Sequence, residues 1–160
     1  MIRKVRNSDI NRICEIYNYY INNTTITFEE SEVEKNEMEK RISEAAKNFS
    51  WIIFEEKGET VGYAYAAKWK DRNAYRHCAE SSVYLDKGFL GKGIGKKLLS
   101  RLIEEVKAKK IHSLIGGIAL PNRESIGLYQ KLGFKKVAHF KEVGFKFGRW
   151  IDVGYWEKII

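Results

Sequence analysis

One glutamate stands in the otherwise uncharged segment CAESSVYL (Cys78–Leu85), and a turn with Gly91, Gly93 and Gly95 at alternate positions follows it in LDKGFLGKGIGKKLL. The two features suit two parts of one reaction. A carboxylate drawn part-way into a sheet loses hydration, and its pKa rises toward the range of a general base. A strand, a glycine-rich turn and a helix start present unpaired N–H groups and a positive helix end to an anion. Missing Cβ atoms let that anion approach the main chain, and Lys92 and Lys96 add charge at the rim. Two familiar phosphate loops are excluded. Gly88 to Gly93 has the P-loop spacing, but Ile94 stands where the lysine is needed, and the third glycine comes one residue early for G-x-G-x-x-G. The residues alone leave Glu80 two roles, base or structural partner of Arg72 or Arg76. They leave the loop two as well, anion site or turn, and three glycines before a helix favour the anion.

Other chemistries find little support. His77, His112 and His139 are far apart and make no metal pattern, so no metal is expected. Cys14 and Cys78 suggest neither a metal site nor a disulfide framework, which makes a reducing, cytoplasmic location the default. The net charge of +8 suits nucleic acid or a smaller polyanion such as a nucleotide or coenzyme. Its lysines are scattered rather than gathered in a dense tract, which disfavours nucleic acid. No apolar run approaches the roughly 20 residues of a membrane span, and MIRKVRNSDI lacks a signal-peptide core, so no membrane partner is expected.

The elements that must position these residues follow from periodicity. MIRKVR reads as a short strand, and Ser8 as the cap of a helix with Ile10, Ile13, Ile16, Tyr17 and Tyr20 on one face. NNTTITFEE reads as a loop carrying Phe28. Ser31 and Glu34 form a capping-box pattern before a second helix with Val33, Met38, Ile42 and Ala45 inward. SWIIFEE, KGET and VGYAYAAKWK read as a hairpin, and AESSVYL as the strand before the glycine loop. Leu98, Leu99, Leu102, Ile103 and Val106 mark a helical stripe ending in basic residues. SLIGGIAL reads as a buried strand. A short helix from Arg123 to Leu132 stops at a left-handed Gly133, and FKKVAHFKEV and WIDVGYWEK are closing strands. One Pro, no repeat and no linker make residues 1–160 one α/β domain, a mixed sheet with helices on both faces.

VYLDKGFLGKGIGKKLL resembles motif A of the GCN5-related N-acetyltransferases, and LPNRESIGLYQKLGFKKV resembles that superfamily's next segment. AYRHCAESSVYL and VGFKFGRWIDVGYWEK are similar to the phosphinothricin and methionine sulfoximine acetyltransferases, and are more specific than the loop. The resemblance spans the chain. It implies a mixed, mostly antiparallel sheet with a β-bulge and splayed central strands. It also implies acetyl-coenzyme A as co-substrate, with its pyrophosphate on Gly91, Lys92, Gly93, Ile94, Gly95 and Lys96. Main-chain groups of Val83, Tyr84 and Leu85 would line the pantetheine cleft, and Asn122 would touch the coenzyme, its alternative being an N-cap. Leu90 departs from the Gln or Arg usual three residues before the central glycine.

The same resemblance implies Glu80 as general base, directly or through water, and Tyr129 as general acid at the coenzyme sulfur. Packing beside Ile126 and Leu132 is the alternative for Tyr129. KWKDRNAYRH supplies Lys70, Arg72 and Arg76 for an acceptor carboxylate, or else is a solvated loop. By similarity Lys70, Asp71, Arg72, Glu80, Ser81 and Ser82 contact the acceptor, and Phe28 walls its pocket unless it is a core residue. The expected reaction is direct acetyl transfer in a ternary complex to the α-amino group of phosphinothricin, methionine sulfoximine or methionine sulfone. A homodimer is the family's usual state. Alternatives are acetylation of a protein N-terminus or polyamine, an acyl-coenzyme A sensor, or a nucleic-acid-binding module.

Overall fold

The apolar run of WIIFEE and the β-branched and aromatic residues of ETVGYAYAAK form strands β2 (Trp51–Glu56) and β3 (Glu59–Lys68), joined by a turn with Lys57 and Gly58 at positive φ. The computed structural model describes residues 1–160. Its remaining elements, in chain order, are β1 (Ile2–Lys4), α1 (Ile10–Asn23), α2 (Lys35–Asn48), β4 (Cys78–Leu85), α3 (Ile94–Ala108), β5 (Ser113–Ala119), α4 (Arg123–Lys131), β6 (Lys135–Lys146) and β7 (Arg149–Ile159). They build one seven-stranded sheet in the order β1-β2-β3-β4-β5-β7-β6. Every neighbouring pair is antiparallel except β4 and β5, the only parallel pair. No helix is long and apolar enough to cross a membrane.

The two faces of the sheet have separate cores. On one, α3 and α4 cover Ile52, Val61, Ala64, Ala79 and Leu114. Leu98, Leu99, Leu102 and Val106 of α3 have no exposed surface, and truncating one such residue to alanine costs about 2–5 kcal/mol. On the other face, α1 and α2 bury Ile13, Ile16, Tyr17, Met38 and Ile42 against Trp51, Ile53 and Tyr63. Trp51 stacks on Tyr65 with ring centroids 4.2 Å apart.

Three local expectations change. Ser8 lies in a 3-10 turn, Asn7–Asp9, and does not cap α1. Asp9 organises that corner instead, accepting from Arg6 N at 2.7 Å, from both Arg3 amines and from Thr60 Oγ1. Four donors on one carboxylate outcompete a serine hydroxyl. The Ser31–Glu34 box does not form either. Helix α2 begins at Lys35 without a side-chain cap, and Val33 is buried ahead of it. The strand β4 pairs with β3 without a register shift, so the expected bulge is absent from that pairing. The irregularities lie at Phe54/Glu55 and at two places in β6.

Burial pushes the Asp9 pKa up, but Arg3, the Arg6 amide and Thr60 together hold it below its ordinary 3.8. Its contribution to stability is complete above that value and is lost as the pH falls through the lowered one. Asp9→Asn is expected to cost about 2 kcal/mol in urea titrations at pH 7, since it removes the charge that Arg3 shares with Glu55 and upsets the donors that converge on the carboxylate. The difference from wild type is expected to shrink in acid.

Candidate active site

Strands β4 and β5 pair over three positions only, Cys78–Ser113, Ala79–Leu114 and Glu80–Ile115. Beyond Glu80 they part, while β4 stays paired to β3 through Leu85. The parting opens a cleft with a cavity of about 50 Å³ lined by Ile26, Ser81, Val83, Gly117, Asn122 and Tyr129, among others. Period-2 alternation then sends neighbouring residues of β4 to opposite faces. Val83 and Leu85 pack on the α3 side. On the α1 side Tyr84 meets Tyr17 and Tyr63, with centroids 5.0 and 5.5 Å apart. Ser81 faces α4, donating to Ile115 O at 3.1 Å, with its Oγ also 3.1 Å from the Tyr129 hydroxyl. Tyr129 donates to Ser81 O at 3.0 Å. Its phenol is buried, which drives its pKa far up and keeps it protonated.

The two glycines of β5 make room for both groups. A Cβ on Gly116 would stand 2.2 Å from the Tyr129 ring, so that ring lies flat on the bare strand. On the other face, a Cβ on Gly117 would stand 3.0 Å from Tyr155 and 3.1 Å from Glu80 Oε1. Glu80 and Tyr129 thus reach the cleft from opposite sides of the sheet. The apolar reading of SLIGGIAL did not detect this requirement, because adjacent glycines in a strand carry no period.

Glu80 is largely withdrawn from water, and that burial raises its pKa above the ordinary 4.5; the charge of Lys70 acts in the opposite direction. It forms no ion pair with Arg72 or Arg76, and Arg76 instead donates to Asn73 O at 3.2 Å. The structural-partner reading of Glu80 therefore falls. Lys70, Asp71 and Arg72 lie on an exposed segment after β3. Lys70 sits 5.2 Å from the Trp69 ring centroid, and Asp71 pairs with Lys68 at 3.6 Å. Trp69 meets Tyr155 edge-on at 5.5 Å, and Phe140 meets the same ring at 5.7 Å. Trp69 and Tyr155, which sequence reasoning passed over, thus wall the Glu80 side. Ser82 shares that face, whereas Ser81 is committed to Tyr129. Phe28 is 40% exposed and is no core residue; it lies over Gly144 of β6.

The glycine loop ends in a bare helix start. Gly91 and Gly93 have φ of +73° and +75° with open space where a Cβ would be, and Gly93 is the N-cap of α3. The first α3 hydrogen bond runs from Lys97 N to Gly93 O at 3.2 Å, leaving the Ile94, Gly95 and Lys96 amides without helical acceptors. Gly95 differs from the other two. It is buried, and a Cβ there would stand 3.5 Å from Leu128 of α4 and 3.6 Å from Leu85, in ordinary packing contact. Asp86 braces the loop, accepting from Gly88 N at 2.8 Å and from Arg12 at 2.6 Å. Lys92 lies over Phe89, and Leu90 is 44% exposed. Asn122 caps α4, accepting from Ser125 N at 3.0 Å, and lines the cleft.

The sequence pattern of the Acetyltransferase (GNAT) domain matches residues 2–154. Phosphinothricin N-acetyltransferase of Streptomyces viridochromogenes is 32% identical to the chain, over 98% of this chain and 86% of that protein. The L-methionine sulfoximine/L-methionine sulfone acetyltransferase of Salmonella typhimurium is 35% identical, over 96% of this chain and 91% of that one. A solved structure of a phosphinothricin acetyltransferase from Sinorhizobium meliloti in complex with AcCoA superposes with a TM-score of 0.97. It shares 35% identity and covers 100% of this chain and 88% of its own.

A raised pKa in the folded state makes Glu80 a destabilising charge at neutral pH. The native fold is favoured below the ordinary glutamate value and loses that contribution as pH rises through the raised one. Glu80→Gln is therefore expected to melt a few degrees above wild type at pH 7. The gap should close at pH below 4.5, where both side chains are neutral; thermal melts across pH check this.

Proposed function

The chain belongs to the GNAT acetyltransferase family and is an acetyl-coenzyme A-dependent N-acetyltransferase; from that premise we propose that it acetylates the α-amino group of a small amino-acid-like molecule. Phosphinothricin, methionine sulfoximine and methionine sulfone head the acceptors, in keeping with the relatives' activities. The carrying observation is a half-buried Glu80 carboxylate without an ion pair, at the point where β4 and β5 part, with Lys70 as its nearest cationic influence. An α-amino acid brings an ammonium and a carboxylate a fixed short distance apart. Glu80 takes the ammonium's proton, directly or through one water, and Lys70 and Arg72 receive the carboxylate. Arginine is suited to that task by its fork of donors. Ser82, Trp69, Tyr155 and Phe28 complete the pocket, with Asp71 steering Lys68 at its edge. A polyamine would need an acidic wall here, and this wall is basic.

On the coenzyme side, the amides of Ile94, Gly95 and Lys96 at the α3 start, with Gly91, Lys92 and Gly93, hold the pyrophosphate. Lys92 and Lys96 supply charge in place of the side chain that Leu90 lacks. Along β4 the main chain turns alternately to β3 and away from it, so Val83 and Leu85 offer N–H groups to the arm while Tyr84, between them, is bonded toward Tyr63 of β3. The Asn122 amide is free for the same purpose, its oxygen being engaged in the cap. Acetyl-coenzyme A supplies an activated acyl carbon. The chain supplies the deprotonated amine, N–H donors toward the carbonyl and, from Tyr129, a proton for the departing sulfur. Ser81 orients that phenol from below. Transfer is direct in a ternary complex. Burial holds the Cys78 thiol up, away from the thiolate a covalent relay would need.

We read residues 1–160 as one domain working in the cytoplasm, where two free cysteines stay reduced. It works as a homodimer. Edge strand β6 and its hairpin expose Val143 at 59%, Phe145 at 54%, Phe147 at 57% and Trp150 at 63%, a strip that a second copy would cover.

Three outcomes check this reading. Wild-type protein should release free thiol from acetyl-coenzyme A when given methionine sulfoximine, and silence across amino acids, amines and peptides would remove the proposed acceptor class. Glu80→Gln should lower kcat by about a hundredfold or more while coenzyme binding by calorimetry stays near wild type; unchanged turnover across pH excludes Glu80 as base. Light scattering should give twice the 18.7 kDa chain mass for wild type and a single chain for Phe145→Glu/Trp150→Glu.

A further inference from the structure

Lys146 is the one charged side chain buried to 1% exposure, and no carboxylate lies at ion-pair distance from it. Its ammonium donates to Ile21 O at 2.8 Å and Thr27 O at 2.9 Å, and sits 4.9 Å from the Phe147 ring centroid. Withdrawing an ammonium from water is costly, and a methionine would fill the same space without that cost. What lysine adds is two directed bonds. Both end on carbonyls that flank the bend between α1 and Phe28, the first in the last turn of α1 and the second beside Phe28.

Two residues back on the same strand, and so on the same face, Gly144 carries the Phe28 ring. A Cβ there would stand 2.4 Å from two of its carbons. From the opposite side, Tyr17 contacts Thr27 Oγ1 at 2.9 Å and donates to Glu29, and Arg41 holds both Glu29 oxygens at 2.7 and 2.9 Å. The segment 24–34 is therefore tied to the helices through Thr27 and Glu29, and to the sheet through Lys146 and Gly144. Ile26, between those ties, lines the cleft where β4 and β5 part.

We propose that Lys146 and Gly144 form a clamp that positions Phe28 and Ile26 against the acceptor, making the GFK run of VGFKFGRW a determinant of acceptor binding rather than of chemistry. This rests on the reading of Phe28 as a wall of the acceptor pocket. Lys146 touches no reacting atom and acts through the segment it holds. Its loss weakens acceptor binding and leaves the coenzyme loop, on the far side of β4, as it was.

The test compares full-length wild type with Lys146→Met, Gly144→Ala, Phe28→Ala and the double variant Gly144→Ala/Phe28→Ala. Steady-state kinetics vary methionine sulfoximine and acetyl-coenzyme A separately, and amide hydrogen exchange is followed without acceptor. The clamp predicts an acceptor KM raised roughly tenfold in Lys146→Met and in Gly144→Ala, equivalent to about 1.4 kcal/mol, with kcat and the coenzyme KM near wild type. Exchange should quicken over 24–34 and stay unchanged in β4 and α3. The Gly144→Ala effect should vanish when Phe28 is already alanine. Unchanged acceptor KM, equal rises in both KM values with faster exchange throughout the sheet, or a Gly144→Ala effect that persists without Phe28 would each overturn the proposal. Should Lys146→Met not fold, the glycine and phenylalanine pair decides alone. A wild type that acetylates no amine defeats the acceptor reading, and exchange over 24–34 then decides whether the clamp exists.

Discussion

A carboxylate drawn out of water with no cation at ion-pair distance is the constraint around which the rest of this molecule is arranged. The fold gains nothing from Glu80 as a charge, since burial raises its pKa and only the field of Lys70 opposes that. Its position is sustained by everything else. The β3 strand holds β4 in unbroken register, α1 and α2 close the apolar side, and a glycine on β5 leaves the oxygen its space. Stability invested in two large cores is what permits an ion in so unfavourable a place.

The same arrangement keeps the buried carboxylate and the buried phenol apart. A single strand cannot present two side chains to one point from the same side without crowding, and β4 and β5 avoid this by using both faces. Glu80 comes from the α1 side, and Tyr129 comes from α4 on the other, with its ring against Gly116. Their environments act on the two groups in the same direction, each favouring the neutral form. Burial keeps the phenol protonated and moves the carboxylate toward the pH at which it can exchange a proton. Ser81, shared between Tyr129 and the Ile115 carbonyl, fixes the phenol where the strands separate.

Most of the architecture was legible in periodicity. The hairpin, the leucine stripe of α3, the left-handed Gly133 and the order of elements all follow from spacing and turn chemistry, which are local. Legibility ended where a long-range partner outcompeted a local one. Ser8 lost its cap role to Asp9 because Arg3 and Thr60, distant in sequence, converge on that carboxylate. For the site, the glycine loop and Glu80 stood out by type and spacing, but Trp69 and Tyr155 did not. An aromatic residue in a strand gives no sign of facing a cleft rather than a core. Gly116 and Gly117 were equally silent, because their meaning lies in the rings and oxygen that occupy the missing Cβ volume. Lys146 carries no local sign of burial either, because the carbonyls it meets, on Ile21 and Thr27, are distant in sequence.

The short seam between β4 and β5 has a mechanical consequence. Seven positions join β3 to β4 and seven join β5 to β7, but three join the two groups. The sheet is therefore two stiff plates sharing a narrow hinge, β1 to β4 on one side and β5, β7 and β6 on the other. Spreading the plates at the open end breaks no main-chain ladder bond, and only the side-chain bonds of Ser81 and Tyr129 cross it there. Entry of a long flexible arm and departure of the spent one can then proceed by flexing at that open end, with the α1–α2 core, which lies wholly on the first plate, left intact.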